Sequence, residues 1–156
     1  TPVSFNLVGD ISDKYRSELE ALFRQCPQHQ LNISPQVKHK DLHGLLCRHS
    51  IGLALEDTYP PSRNTTVTNK ILQYLQAGLM VLATATEGQK EVTANFEDAV
   101  KTVPPDDITA WKGPLEQLIK NNAWDKERIV QVYNQKYSWE AQEAKLLELV
   151  TLALDK

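Results

Sequence analysis

Several function classes lose their usual signatures in this chain. No apolar run reaches the roughly 18 residues that a membrane span needs. The amino end, Thr1-Pro2-Val3-Ser4-Phe5, has neither the positive charge nor the apolar core of a signal peptide. It also lacks a Met, as a fragment or a processed end would. The net charge is −3, so no global basic field favours nucleic acid or an anionic membrane. Only two cysteines occur, Cys26 and Cys47, far apart and without a C-x-x-C pair. They read as reduced thiols packed on helices, which points to the cytoplasm. There is no G-x-x-x-x-G-K-[ST], no G-x-G-x-x-G and no G-x-S-x-G, so Walker-type, dinucleotide and hydrolase readings have no support. Internal repeats and low-complexity segments are absent too.

What is present is an alternation of strands and helices. At 156 residues the chain is expected to form one domain, able to bury about two thirds of its unfolded surface. Strands are expected at Val3–Val8, Leu31–Ile33, Ile51–Leu55, Met80–Ala83 and Ala99–Val103. Between them, Ser12 can cap a helix with Tyr15, Leu19, Leu22 and Phe23 on one face. A second helix over Asp41–Arg48 points Leu42, Leu45 and Leu46 inward. A third, Thr68–Ala77, buries Ile71, Leu72 and Leu75 and ends at Gly78. Helices at Pro114–Lys120, Asp125–Lys136 and Ser138 to about Leu154 close the chain. Trp139, Leu146, Leu147 and Val150 of the last one form a stripe expected to be core.

This order argues a three-layer, Rossmann-like α/β fold. It predicts a mainly parallel sheet of about five strands with right-handed crossovers and helices on both faces. Ligands of such sheets bind beyond the carboxyl ends of the strands. Those ends are Gly9-Asp10, Ser34–His39, Glu56–Thr68 and Thr84–Glu91.

Glu56–Thr68 is long for a strand-to-helix connection, which usually takes two to six residues. It carries Arg63 and opens a helix whose first turn holds Lys70. A helix amino end offers free N–H groups and partial positive charge, which suit a phosphate; Arg63 and Lys70 could add full charges. A solvated loop capped by Thr68 is the plainer alternative. Among the histidines, His39 and His43 stand four apart, but no Cys or carboxylate completes a ligand set, so no metal is expected. His39 could instead line the mouth beyond the second strand. Glu56 and Glu91 are candidate binding carboxylates. No nucleophile motif appears, and no catalytic residue is named.

The block IGLALE…PSRN…TNKILQYLQAGLMVLATATEGQKEV resembles the donor-binding half of GT-B glycosyltransferases of the retaining, group-1 (family 4-like) kind. Those enzymes show a strand, a loop, N-K-[hydrophobic]-[hydrophobic]-[E/Q]-Y-x-x-A-G, a buried strand and a G-Q-x-E-[V/I] turn. The likeness extends more loosely to Phe5–Gly9, Asp41–Ser50, Val103–Asp106 and Tyr137–Glu140. It implies sugar transfer from a nucleotide-diphosphate sugar to a glycan or lipid-linked acceptor. The donor's diphosphate would lie at the helix of Lys70, with Asn69 and the backbone of residues 67–69 shaping the pocket. Gln73 would hold the ribose, the base would lie near Val37–His39, and Gly88, Gln89 and Glu91 would flank the sugar. No cofactor or metal is implied beyond the donor.

Two departures stand out. The family's pair of glutamates falls at Thr65 and Gln73. The family's first strand of this domain, and its acceptor domain, have no counterpart before Val3. The resemblance therefore implies an incomplete donor domain, inactive alone, with a rearranged sheet or a homodimer. The longer enzyme would be cytoplasmic, with peripheral membrane contact as an option, and would not bind nucleic acid. A GT-B nucleotide-sugar epimerase and a non-enzymatic α/β interaction module are the alternatives.

Overall fold

Short apolar strands alternate with amphipathic helices, and each strand pairs only with parallel neighbours. The computed structural model describes residues 1–121 and 123–154. The strands are β1 (Ser4–Val8), β2 (Gln30–Ser34), β3 (Ile51–Ala54), β4 (Met80–Thr84) and β5 (Val100–Val103). The helices are α1 (Asp13–Arg24), α2 (His39–Leu46), α3 (Pro61–Thr65), α4 (Asn69–Gln76), α5 (Glu87–Thr93), α6 (Lys112–Lys120), α7 (Lys126–Lys136) and α8 (Trp139–Leu154). A 3-10 turn, Ile108–Trp111, leads into α6. All five expected strands form, as two parallel sheets: β1-β2, and β3-β4-β5 in that order. Among the described residues no helix is long and apolar enough to cross a membrane.

The chain divides into two compact units, Thr1–Leu42 and His43–Lys156. In the first, β1 and β2 run in register from Ser4 opposite Gln30 to Val8 opposite Ser34. Phe5 meets Phe23 of α1 edge-to-face, with ring centroids 5.4 Å apart. The other pleat of the strands is polar: the Asn32 amide donates to Ser4 Oγ and Asn6 Oδ1, both at 3.0 Å. Ser12 caps α1 as its sequence position predicts, accepting from Tyr15 N at 3.2 Å. Of the expected inner face of α1, Leu19 and Phe23 are half-buried, while Tyr15 and Leu22 are exposed.

The second unit is a three-layer sandwich. β4 lies between β3 and β5 and is buried along its whole length. Its side chains alternate between two cores, as a pleat covered on both faces requires. Val81 and Ala83 pack with Ile71 and Leu75 of α4 and Ile129 of α7. Met80 and Leu82 pack with Val103 and Leu118 of α6. Gly78, at φ +71°, ends α4 in the left-handed conformation that glycine adopts freely. The Leu79 N–H then closes back on the Tyr74 carbonyl at 3.0 Å.

Two sequence expectations fail here. The stripe of α8 is not core: Trp139, Leu146, Leu147 and Val150 are all exposed, as are Leu149, Leu152 and Leu154. The last two turns are apolar nearly all round, so no single stripe faces the unit. Cys26 is not packed on a helix either; it lies exposed just beyond α1, whereas Cys47 is half-buried just beyond α2, and both are free thiols.

Candidate functional site

The loop that leaves β3 is not featureless. Pro60 and Pro61 start the short helix α3, which suits proline in a first turn. Thr65 and Thr66 then donate their hydroxyls to the Ser62 carbonyl at 3.2 and 2.6 Å. These local bonds tie the loop to itself before it reaches Thr68, which precedes α4.

The amino ends of α4 and α5 are treated differently. Thr86 caps α5 by accepting from Gln89 N at 3.3 Å, and Asn64 Oδ1 accepts from Glu87 N at 3.3 Å. Thr68 makes no such cap on α4, although its extended backbone is that of a cap residue. Its hydroxyl oxygen is buried and has no hydrogen-bond partner among the described residues. The first turn of α4 therefore keeps N–H groups without a side-chain cap, and it contains no acidic residue.

Lys70 lies in that turn. Its ammonium contacts Glu56 Oε1 at 2.5 Å. Glu56 is two residues beyond β3, so the pair joins a strand's carboxyl end to the following helix's amino end. The lysine side chain is 55% exposed and the glutamate side chain 10%. Sequence patterning singled out both residues but not their contact, which spans 14 positions.

A buried framework holds Glu56. Its backbone N–H donates to Thr84 Oγ1 at 2.8 Å, and the Gln89 amide donates to the same oxygen at 3.1 Å. Thr84, Thr86 and Gln89 are all buried. Burial, and secondarily the charge of Glu56, raise the Tyr74 phenol above its ordinary pKa.

The remaining candidates scatter. Asn69 is exposed in the first turn of α4, and Gln73 is half-buried one turn on. Arg63 is exposed on α3. Gly88 is buried where α5 meets the loop: a Cβ there would stand 2.5 Å from the Thr66 carbonyl. Gln89 is fully enclosed, so its side chain positions Thr84 instead of lining a surface. Glu91 is exposed on α5. His39 is exposed at the start of α2 and belongs to the first compact unit, whereas all the others belong to the second. Sequence reasoning named Thr84–Glu91 as a strand end without singling out Thr84 or Thr86, whose hydroxyls sit where strand β4 gives way to α5. Among the described residues no group of three or more His, Cys, Asp or Glu is arranged to hold a metal ion.

No family model matches the sequence. No curated protein matches it either. Among solved structures, the chain is similar to a sucrose-phosphate synthase from Thermosynechococcus elongatus, with a TM-score of 0.70 and 19% identity. The match covers 95% of this chain and spans 38% of that enzyme's chain. At that identity the likeness establishes the fold alone, a Rossmann-like α/β fold consistent with half of a GT-B architecture.

Proposed function

We propose that this chain is the nucleotide-sugar donor domain of a glycosyltransferase. The observation that carries the reading is Lys70 in the first turn of α4, whose amino end Thr68 leaves uncapped, beyond the carboxyl end of β3. A diphosphate there would meet backbone N–H donors, a helix dipole and one full positive charge. The Rossmann-like fold supports the same reading, as does the resemblance of the block from Ile51 to Val92 to the donor-binding half of GT-B glycosyltransferases.

In this proposal Lys70 and the backbone of residues 67–69 hold the diphosphate, with Asn69 beside them and Arg63 of α3 as a second cation. Gln73 accepts and donates to ribose hydroxyls. Glu56 and Glu91 face the sugar. Cationic groups and helix N–H donors would neutralise the departing diphosphate while an oxocarbenium-like sugar forms. No metal enters that scheme. The acceptor, a glycan or lipid-linked sugar, would bind a further domain in a cytoplasmic enzyme, so the 156-residue chain is expected to bind a donor and transfer nothing.

Thermal unfolding against millimolar UDP, GDP, ADP and dTDP tests this. A ligand that binds only the folded state adds about 2.7 kcal/mol at a hundred times its dissociation constant. A selective rise in midpoint with one base, lost in Lys70→Ala, is expected. No rise with any of the four would overturn donor binding by this chain and favour an interaction module.

A further inference from the structure

The ion pair Glu56–Lys70 places an anion inside a site read as receiving one. The carboxylate cannot simply swing into water, because its side chain is 10% exposed and its backbone N–H is bonded to buried Thr84. Lys70 is the more accessible partner, with 55% of its side chain exposed. Any phosphate arriving at α4 must therefore share Lys70 with a fixed negative charge. That competition weakens a free nucleoside diphosphate. It is compensated only by a ligand that also brings hydrogen-bond donors, because an ionised carboxylate is an acceptor alone. Sugar hydroxyls attached to the terminal phosphate are such donors.

We propose that Glu56 is a specificity-determining residue that makes the site prefer the intact glycosyl ester of a nucleoside diphosphate over the free diphosphate. The inference rests on the donor-domain reading. Lys70 takes the phosphate, and Glu56 takes hydroxyls of the sugar. Once the sugar has left, the free diphosphate faces Glu56 without a donor to offer it, which favours its departure.

Calorimetric titration of the 156-residue chain with UDP, GDP, ADP, dTDP and their glucose esters tests the proposal. For the base that binds, Glu56→Gln is expected to tighten the free diphosphate about threefold or more. The preference for the glucose ester over the free diphosphate should fall about tenfold, as for one charge-assisted hydrogen bond. An unchanged preference overturns the inference while leaving the donor-domain reading intact. If none of the eight ligands binds the wild-type chain, that reading falls and this inference with it. Should Glu56→Gln fail to fold, Lys70→Met gives the reciprocal test. With the cation gone and Glu56 retained, the free diphosphate should lose more affinity than the ester, and an unchanged or reversed ratio overturns the proposal.

Discussion

Gly52 of β3 lies directly under the ring of Tyr74, so closely that a Cβ on the glycine would overlap the ring carbons. Helix α4 packs onto β3 through this contact, and α4 carries Lys70 on its first turn. The missing side chain at position 52 thus sets the height of the helix over the sheet. Gly52→Ala should force the ring or the helix outward. Overpacking of this kind costs about 1–3 kcal/mol. The thermal midpoint is expected to fall by several degrees, and nucleotide protection by Lys70 should weaken with it. An unchanged midpoint would show that the ring moves freely.

Tyr74 also gives a pH signature. Burial and the charge of Glu56 raise its phenol above the ordinary value of 10.0. The folded state therefore holds its proton where the unfolded chain begins to lose it. The resulting stability is complete below about pH 10 and is lost as pH rises from there through the folded pKa. Urea titrations from pH 8 to 11 should show that decline, and Tyr74→Phe should shallow it. A slope identical in both proteins would remove Tyr74 as its source.

Thr84 Oγ1 accepts from two donors, Glu56 N and Gln89 Nε2. Thr84→Val keeps the shape and leaves both donors without that acceptor. Each buried unsatisfied group costs about 1–3 kcal/mol, so a loss of at least about 2 kcal/mol is expected. Gln89→Leu removes its donor together with an acceptor oxygen that has no partner. It should cost less than Thr84→Val by denaturant unfolding, and the reverse ranking would refute this account.

The apolar turns of α8 make a contrary prediction to the one its sequence suggests. Buried leucines cut to small residues cost about 2–5 kcal/mol. Leu149 and Leu152 are 64% and 57% exposed. Leu149→Gln and Leu152→Gln should therefore each change stability by no more than about 0.5 kcal/mol, measured by urea unfolding. A core-sized loss would mean that the helix is covered in solution.

Much of the second unit was legible because its signals are local. Met80–Thr84 is apolar at every position but its last, Gly78 marks the end of α4, and Asp125 stands before α7, where it accepts from Arg128 N at 2.8 Å. The helices α3 and α5 were not legible. Pro61–Thr65 lacks an apolar face, and Glu87–Thr93 has only Val92 as a buried apolar side chain. The periodicity that reveals a helix needs more turns than either has. The α8 stripe misled for the opposite reason: apolar spacing is visible in a sequence, but what covers it is not.

The sequence by itself determined the order of the strands and the longer helices, the parallel α/β class and the candidate end of the molecule, because strand length, caps and glycine breaks act on neighbouring residues. Only the tertiary structure decided that Glu56 and Lys70 meet, that Gln89 faces Thr84 and that the strands form sheets of two and three. Those outcomes depend on contacts between residues far apart in the chain, whose geometry is fixed by packing against β4 and by the need to satisfy buried polar groups.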